Sequence, residues 1–430
     1  MVHTHFVSAS RILFVLLIMR CMGYAVLKEA QGDEFNYDEA KVPKYTLPDP
    51  LVTSDGQRVT DADTWWKKRR PELLSLFKEH VYGAMPPARK IARVETHETE
   101  LQGLGGKVIR KQLTLYFSRD GSGPGIHVLI FAPKRTRNTE SFPAFIGYNF
   151  KGNHTVHEDK KIHMSKVWDR GADAPRVPDG STRGSHAAQW QIEKVVARGY
   201  ALVTVYYGDV DPDFYDQFQN GIHTLYPDYQ NRGDNWTSIG AWAWGLSRAL
   251  DYLETDDLID ANRVAVIGHS RLGKTSLWTG ATDQRFAMVI SNNSGCGGAA
   301  LARRRFGETV AQINTNFPHW FCANHKNYNN NEDAMPVDHH QLIALIAPRP
   351  VYVASAQEDR WADPHGEFLS CVGADDVYRL LGTEGLPVEK WPAVNHPVQG
   401  RIAYHVRSGK HDVTEYDWQQ YLDFADKHMR

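Results

Sequence analysis

Cysteine is scarce in this chain of 430 residues, because only four occur: Cys21, Cys296, Cys322 and Cys371. A fold held together by several disulfides is therefore excluded, and a chain of this length has to rely on a buried apolar core. Once Cys21 is set aside with a predicted leader, an odd number remains, which allows at most one internal disulfide. The sequence does not determine which pair, if any, is joined.

An excess of charge of either sign is also missing. Lysine and arginine number 49 against 51 aspartates and glutamates, which gives a formal net charge of −2. Because no basic stripe is present to neutralise phosphates, a nucleic-acid partner has no electrostatic support. Rings are plentiful, with 12 Trp, 19 Tyr and 20 His. Most of them are expected in the core or on the surface, but aromatic side chains also line ligand clefts.

Beyond the N-terminus, no apolar run is long enough to cross a membrane. Residues 1–25 predict a signal peptide, since Arg11 precedes the apolar run 12–19 and Gly23-Tyr-Ala25 offers small residues for cleavage. Arg20, directly after the run, leaves the cleavage point open. We therefore expect a secreted or periplasmic protein; the alternative is a disordered or membrane-peripheral N-terminus.

The remaining chain is interpreted as one domain, because it contains neither an internal repeat nor a Pro/Gly/Ser-rich linker. Residues 26–62 are polar and are expected to form an extended lead-in. Residues 63–430 are expected to form a single catalytic domain. Two long stretches without periodicity, 155–186 and 208–235, predict large loop insertions, and such loops inside a compact domain are usually functional.

Short apolar strands alternate with helical patterns, which predicts an α/β fold with a mostly parallel central sheet between two helical layers. An antiparallel hairpin over 91–117 suits the edge of that sheet. The other predicted strands are 125–131, 143–148, 200–206, 264–267, 286–291, 350–355 and 386–391, and the helices are 65–77, 186–198, 236–252 and 414–427. In such sheets, ligands bind at the carboxyl ends of the strands.

The segment Arg263–Trp278 contains the most informative motif of the chain. A β-branched apolar run enters Gly268-His-Ser-Arg-Leu-Gly-Lys274, and a helix-forming run leaves it. A strand, a sharp turn and a helix would expose the Ser270 hydroxyl at the apex, with the helix N-terminus favouring developing negative charge. This is the arrangement of a serine nucleophile.

The same letters also match the phosphate-binding loop G-x-x-x-x-G-K-[ST], with Lys274-Thr275 at its end. The context is unfavourable, because the next strand ends in Ser291-Asn-Asn293 without an aspartate for magnesium. An exported protein would also meet little nucleotide. We therefore favour the nucleophile.

A serine nucleophile needs a histidine base and an acid to orient it, and in α/β-hydrolases these follow in the order Ser, acid, His at strand ends. An acidic segment, Glu358–Pro364, follows the strand that ends at Ser355. His411 comes later, after the last predicted strand. The motif departs from the usual G-x-S-x-G, because its second glycine is Gly273 instead of residue 272.

With these residues the chain resembles the glucuronoyl esterases of carbohydrate esterase family 15, whose nucleophile segment is G-x-S-R-x-G-K. The resemblance extends from about Pro43 onward and is closest to the bacterial branch. It continues through the segments Ser294–Gly298, Phe306–Thr309, Phe317–Phe321, Glu358–Pro364 and His411–Trp418. It implies the α/β-hydrolase fold, no cofactor and no metal.

The resemblance implies hydrolysis of esters between lignin alcohols and the 4-O-methyl-glucuronic acid of glucuronoxylan. Ser270 would attack the ester carbonyl, and His411 would take its proton and return it to the leaving alcohol. Arg271 would aim its guanidinium at the oxyanion. The substrate-binding residues would be Lys274, Glu308 and Trp361, which bind the sugar.

The acid departs from the family pattern. Much of the family carries a Glu just before Ser-Gly, where this chain has Asn293. Some members carry the acid after the later strand, and Asp359 matches that place. We therefore assign the acid to Asp359, with Glu358 and Asp363 as substitutes; Asp363 precedes Pro364 and suits a helix cap.

Each assignment has a structural alternative. Ser270 suits a helix N-cap, and His411 a surface position. Arg271 suits a surface ion pair, Glu308 an ion pair on a helix, and Trp361 the core. For His319-Trp320 we expect packing, and for Asn153-His154 backbone support is as plausible as contact with the site.

Three functions compete with a glucuronoyl esterase. An esterase of other specificity, such as an acetyl-xylan esterase, keeps the same nucleophile. A catalytically inert carbohydrate-binding protein on the same fold is disfavoured by the complete set Ser270, Asp359 and His411. A nucleotide-binding protein is the least favoured. We expect a monomer whose partner is a glucuronoxylan or lignin–carbohydrate ester.

Overall fold

A central mixed sheet positions every element of the fold. The computed structural model describes residues 35–137, 139–229 and 232–430, and ten strands within them form this one sheet. The strands are Arg93–Gln102 (β1), Val108–Tyr116 (β2), Gly125–Pro133 (β3), Phe142–Asn149 (β4), Ala201–Tyr206 (β5), Ile259–His269 (β6), Met288–Asn292 (β7), Val351–Ala356 (β8), Val398–Gln399 (β9) and Ile402–Arg407 (β10).

The strand order is β1-β2-β3-β5-β4-β6-β7-β8-β10-β9. The neighbours from β5 to β10 pair in parallel, for example Ala144 with Ala201 and Val264, whereas β1, β2, β3 and β9 run antiparallel to their neighbours. The predicted hairpin thus forms one edge of a mostly parallel sheet, which confirms the predicted fold class.

Helices cover both faces of the sheet. They are Ala62–Thr64 (α1), Arg70–Phe77 (α2), Gly103–Gly106 (α3), Ala187–Trp190 (α4), Ile192–Ala197 (α5), Ser238–Leu253 (α6), Arg271–Thr282 (α7), Val310–Asn316 (α8), His339–Ala344 (α9), Pro364–Leu380 (α10) and Glu415–Met429 (α11). Two π-helical segments, Trp65–Arg69 and Lys78–Tyr82, flank α2. Short 3-10 turns are Glu39–Lys41, Asn153–Thr155, Tyr207–Asp209, Gly221–Leu225, Pro227–Tyr229, Ala302–Arg304, Ala323–Tyr328, Glu332–Ala334 and Arg360–Ala362.

The core has two parts, one on each face of the sheet. Helices α6, α7, α9 and α10 cover one face, on which Ile146 and Val266 are buried. Helices α5 and α11 cover the other face, on which Phe145 and Ile267 are buried. Adjacent strand residues serve opposite layers, because side chains alternate along a strand. The inner strands are therefore apolar along almost their whole length.

The predicted last strand is wrong. Leu386–Trp391 forms no strand, and the strand beside β8 is instead β10, Ile402–Arg407. Its sequence escaped detection because two polar residues, His405 and Arg407, interrupt the apolar run. Both are buried and bind Asp417 on α11, so their polar groups are satisfied inside the protein.

The two predicted insertions follow β4 and β5, and among the described residues they contain short 3-10 turns and take part in two isolated bridges, one between Val167 and Arg176 and one between Asn235 and Ala84. The compact unit of the fold is Asp38–Arg430, so it includes residues 38–62; the preceding unit is Met1–Tyr37. The predicted signal peptide lies outside the described residues. Within the described residues, no helix is long and apolar enough to cross a membrane, and Cys296, Cys322 and Cys371 are buried and unpaired.

Candidate active site

Ser270 occupies a strained turn between β6 and α7. Its backbone has φ 59° and ψ −128°, a conformation that costs free energy for any residue with a Cβ. A Cβ at Gly268 would lie 1.9 Å from the Leu272 carbonyl oxygen, and one at Gly273 would lie 3.0 Å from the Ser294 Cβ. The turn therefore requires glycine at position 268. Gly273 lets the loop after β7, which carries Ser294, approach the turn closely.

The turn places Ser270 at the N-terminus of α7. Its carbonyl accepts hydrogen bonds from the amides of Gly273 and Lys274 at 2.8 and 3.2 Å. The amides of Arg271 and Leu272 come before these two in the chain. They stand at the start of the helix, where no preceding helical carbonyl accepts from them. Such amides and the positive end of the helix favour an anion beside Ser270.

The Lys274 side chain is directed away from a phosphate cradle. It is 4% exposed, and its Nζ donates to the Ser294 carbonyl oxygen. Its ammonium also lies 5.8 Å from the ring centre of Trp320. Burial lowers the pKa of Lys274, while the nearby charge of Glu308 opposes that shift. This geometry does not favour the nucleotide-binding alternative.

His411 lies in the loop that follows β10 and contacts Asp359. Its Nδ1 donates to Asp359 Oδ2 at 2.6 Å, and Asn293 Nδ2 donates to the same oxygen at 3.0 Å. Burial alone would raise the pKa of Asp359, but the hydrogen bond and charge of His411 and the amide of Asn293 hold it below its ordinary value. Asp359 is thus suited to remain ionised and to orient the imidazole.

His269, the residue before the serine, packs against His411 and places it beside the Ser270 turn. The rings of His269 and His411 lie 4.4 Å apart, centre to centre. His269 Nδ1 donates to Asn292 Oδ1 at 2.6 Å, and burial followed by the charge of His411 lowers the pKa of His269 to about 4. His269 is therefore neutral near neutral pH. Because Nδ1 of His411 is engaged by Asp359, its Nε2 is the nitrogen available as a base.

The buried ion pair of Arg407 and Asp417 supports the loop that carries His411. Arg407 Nε donates to Asp417 Oδ2 at 2.7 Å. The other guanidinium nitrogens donate to the backbone carbonyls of residues 408, 410 and 412 at 3.0, 3.0 and 2.6 Å. These contacts fix the backbone on both sides of His411.

Arg271 is held by a partner that sequence analysis did not identify. Its guanidinium forms an ion pair with Asp213, from the second insertion, and lies 5.0 Å from the ring centre of Trp320. Asp213 also accepts from His319 Nε2 at 3.0 Å and from Trp320 Nε1 at 2.7 Å. Burial pushes the pKa of Asp213 upward, but His319, Arg271 and Trp320 together hold it below its ordinary value.

The residues assigned to sugar binding lie in two loops that pack on each other. Glu308 N donates to the Trp361 carbonyl at 3.0 Å, and a Cβ at Gly307 would lie 2.5 Å from that carbonyl oxygen. Glu308 is 8% exposed. Burial raises the pKa of Glu308, while the charge of Lys274 and a hydrogen bond from the Trp361 side chain oppose the shift. The charge of Glu308 therefore interacts with that of Lys274, and its carboxylate accepts a hydrogen bond from Trp361.

The substitutes for the acid lie elsewhere. Asp363 accepts from Gly366 N at 3.0 Å as the N-cap of α10, and it pairs with Arg304 Nε at 2.8 Å. Glu358 is exposed on the surface. Neither contact places these carboxylates at His411, whereas Asp359 reaches it directly.

A second buried carboxylate supports the loop that carries Asn293. Glu367, on α10, accepts from the amides of Ser294 and Gly295 at 2.8 and 2.9 Å, and from Ser355 Oγ at 2.5 Å. Burial raises the pKa of Glu367 to about 7, although these hydrogen bonds oppose the shift. No sequence signal distinguished this residue from the other glutamates.

Asn153 and His154 are buried supports at the end of β4. Asn153 accepts from Asn149 Nδ2 at 2.7 Å and donates to the His127 carbonyl at 3.0 Å. His154 Nε2 contacts Thr182 Oγ1 at 2.9 Å. In the part of the chain that the structure describes, no group of His, Cys, Asp and Glu has the arrangement of a metal site.

Comparison with known proteins identifies a family and several similar structures. A family model described as glucuronyl esterase, fungi, matches residues 185–382. Carbohydrate esterase MZ0003, from an unknown prokaryotic organism, is 53% identical over 409 residues, which cover 93% of both chains. The structure of a promiscuous CE15 esterase from the marine bacterial metagenome has a TM-score of 0.85 and 52% identity, covering 92% of this chain and 100% of the other. The glucuronoyl esterase from Solibacter usitatus has a TM-score of 0.87 and 45% identity, covering 91% and 100%.

Proposed function

The chain belongs to carbohydrate esterase family 15, the glucuronoyl esterases, and is a carboxylic ester hydrolase; from this premise we propose that Ser270, His411 and Asp359 are its catalytic triad. The observation that carries the proposal is the 2.6 Å contact between His411 Nδ1 and Asp359 Oδ2 beside the strained Ser270 turn. The enzyme acts on glucuronoyl esters, and the proposed natural substrate joins the 4-O-methyl-glucuronic acid of glucuronoxylan to a lignin alcohol.

The reaction proceeds through an acyl-enzyme. His411 Nε2 takes the proton of Ser270 Oγ as the oxygen attacks the ester carbonyl, and the imidazolium is stabilised by Asp359. The proton passes to the alcohol oxygen as the ester bond breaks and the glucuronoyl group remains on Ser270. Water, deprotonated by His411, then releases the acid and restores the serine.

The oxyanion is stabilised by the first amides of α7 and by Arg271. The guanidinium is fixed by Asp213 and by the Trp320 ring before the reaction begins. A donor that is already in place stabilises a developing charge without reorganising in the transition state. We assign to the oxyanion the guanidinium N–H groups that Asp213 does not engage.

The uronate sugar binds among Lys274, Glu308 and Trp361. The ammonium donates and the carboxylate accepts hydrogen bonds, which together suit sugar hydroxyls, and the indole offers an apolar face to the ring. A polysaccharide substrate lies outside the cell, so the proposal requires export, which the signal peptide expected at residues 1–25 would provide.

The test is turnover of benzyl glucuronate and of acetylated xylan by the purified protein, with Ser270→Ala as the control. We expect the wild type to hydrolyse the glucuronate and the control to be inactive. Failure on the glucuronate would refute the substrate assignment. Activity on both substrates would favour broader specificity, which the 52% identity to a promiscuous CE15 esterase keeps as the second candidate.

A further inference from the structure

A cavity of about 550 Å³ lies apart from the catalytic residues, and it is called the distal cavity below. Met164, Trp168 and Val177 form its apolar wall. His127, His163 and Asp209 form its polar wall. None of these residues takes part in the reaction derived above.

The distal cavity opens at the same edge of the sheet as Ser270. β3 runs antiparallel to β5, so its first residues, Gly125–His127, lie beside the carboxyl end of β5. Gly208 and Asp209 follow β5 directly, and they also line the cavity. Ser270 follows β6 at this same edge, because β5, β4 and β6 are parallel. The cavity and the nucleophile are therefore parts of one side of the molecule.

The strand order places the cavity and the sugar-binding residues on opposite sides of Ser270. Glu308 and Trp361 lie in loops after β7 and β8, on one side of β6. The cavity lies at β5 and β3, on the other side. Three strand spacings separate β6 from β3, which is on the order of 14 Å. The distal cavity therefore lies on the side of Ser270 opposite to the residues that we assign to the acyl part of the ester.

Packed aromatic rings beneath the surface extend from the residue before the nucleophile to the segment that carries Trp168. Phe150 lies 6.2 Å from the ring of His269 and 5.8 Å from that of Tyr207. Tyr207 lies 5.5 Å from Tyr206, whose hydroxyl accepts from Trp168 N at 3.0 Å. Tyr206 and Tyr207 are buried in the core, so this row supports the cavity from beneath, and the aromatic side chain that lines the cavity itself is Trp168. A ligand ring packed on Trp168 gains contact energy beyond the burial of its area.

The polar wall is arranged to bind a hydroxyl group. His127 Nδ1 donates to Asp209 Oδ2 at 3.0 Å, and His127 N donates to the same oxygen at 3.0 Å. Since Nδ1 is engaged, the ring presents Nε2 as its remaining hydrogen-bonding atom. His163 stacks on His127 with centres 6.4 Å apart, which holds the second imidazole at the same wall.

We propose that the distal cavity binds the far ring of an extended aromatic alcohol, a phenol or methoxyphenol at least two rings long, while the ester lies at Ser270. This inference rests on the proposed function and adds the place at which the leaving alcohol of its substrate binds. Trp168 packs against the far ring, and the two imidazoles bind its oxygen substituents. A methyl or single-ring ester is too short to use the cavity.

The test compares three glucuronate esters that differ only in their alcohols: methanol, benzyl alcohol and a two-ring benzyl aryl ether with a free phenol. We expect Trp168→Ala to lower the ratio of kcat/KM for the two-ring ester to that for the methyl ester about tenfold. Val177→Glu places a charge on the apolar wall at a residue that is 58% exposed, so it tests the cavity without disturbing the core. It is expected to lower the same ratio.

Trp66→Ala is the matched control, because Trp66 is 36% exposed and its neighbour Arg70 contacts Ala281 at the opposite end of α7 from Ser270. It is expected to leave the ratio unchanged. An unchanged ratio in both cavity variants would overturn the inference alone, since the wild type would still hydrolyse the methyl ester. No turnover of any ester by the wild type would overturn the proposed function and this inference together.

A fourth substrate separates the alcohol from the polysaccharide as the occupant. It carries xylose units on the glucuronate and methanol as the alcohol. We expect the cavity variants to hydrolyse it as they hydrolyse the simple methyl ester. A loss that depends on the xylose units would assign the cavity to the xylan chain and overturn the proposal.

Discussion

Asn293 donates a hydrogen bond from Nδ2 to Asp359 Oδ2 at 3.0 Å, the oxygen that His411 Nδ1 meets at 2.6 Å. The position where much of the family carries a carboxylate thus holds an amide that serves a carboxylate from another loop. The amide contributes to the lowered pKa of Asp359. Two carboxylates at this distance would repel each other, so the amide and the later acid are complementary choices.

Asn293→Asp is expected to move the acidic limb of the pH–rate profile to higher pH. The variant replaces a donor to Asp359 with a second carboxylate, and two adjacent carboxylates titrate in two steps, the second of which lies at higher pH than the titration of one alone. The pH dependence of kcat/KM on benzyl glucuronate measures the shift. Asn293→Gly is the control, since Asn293 has φ 46° and glycine tolerates that conformation. Equal profiles for the two variants would contradict the electrostatic argument.

Asp359→Asn is expected to lower kcat by about 10³–10⁴-fold with little change in KM, as in other triads that lose the acid. The asparagine amide cannot stabilise the imidazolium as the carboxylate does, and it does not fix the tautomer of His411. Stopped-flow or steady-state kinetics on benzyl glucuronate measure the loss. The comparison is Asp363→Asn, which keeps an oxygen for the cap of α10 but removes the charge that pairs with Arg304, and it should lower Tm more than kcat. If only Asp363→Asn loses kcat, the assignment of the acid is wrong.

Arg271→Ala is expected to lower kcat by about 100-fold or more, because it removes the oxyanion donor that we propose. Asp213→Asn retains an oxygen for His319 and Trp320 but removes the charge opposite the guanidinium. We expect a smaller loss of kcat, since Arg271 keeps its charge but is held less firmly. Loss of activity in Asp213→Asn that equals the loss in Arg271→Ala, at unchanged Tm, would show that orientation accounts for the whole effect of the arginine.

Ser270 and Asp359 are predictable from sequence because each follows a recognisable apolar strand, and the carboxyl ends of parallel strands meet at one edge. The strand expected before His411, 386–391, does not form, and His411 follows β10 instead, so its place rests on the motif and on chain order. The fold is predicted on the same basis, since an almost continuous apolar strand is recognisable without knowledge of its partners. The assignments of catalytic roles remain predictions until the variants are measured.

The residues that sequence analysis misses depend on contacts between distant segments. Asp213 lies in an insertion without periodicity, and only tertiary folding brings it to Arg271. Arg407 interrupts the apolar pattern of β10, and its burial becomes intelligible only with Asp417 in place. Propensity and periodicity describe local order, so neither signal reports which charged residues pair across the chain.

Arg407→Lys is expected to lower both stability and kcat while leaving KM almost unchanged. Lysine cannot reach Asp417 and the three carbonyls of residues 408, 410 and 412 together, so the loop of His411 loses its support. Truncating one member of a buried ion pair costs about 3–5 kcal/mol, and the conservative lysine should cost less. Thermal unfolding, kinetics and hydrogen exchange of the loop amides measure the three effects.

The control for Arg407→Lys is Arg263→Lys, because Arg263 pairs with Asp260 near the surface with 39% of its side chain exposed. Surface pairs contribute little, so both Tm and kcat should remain close to those of the wild type. Unchanged exchange at residues 408–412 in Arg407→Lys would contradict the proposed support of the loop, even if stability fell.

Glu367→Gln is expected to flatten the dependence of stability on pH between about 4.5 and 7. Burial raises the pKa of Glu367 from 4.5 to about 7 in the folded protein, so the folded state binds more protons than the unfolded state in this window. Stability from this group is therefore complete below the unfolded pKa and is lost as pH rises through the folded value.

Glutamine imitates the protonated acid: its oxygen accepts from the amides of Ser294 and Gly295, and its amide donates to Ser355 Oγ. Tm measured at pH 5, 6 and 7 should fall less in Glu367→Gln than in the wild type, with the exposed Glu358→Gln as a matched control that retains the wild-type slope. Parallel slopes in all three proteins would show that Glu367 does not titrate in this range.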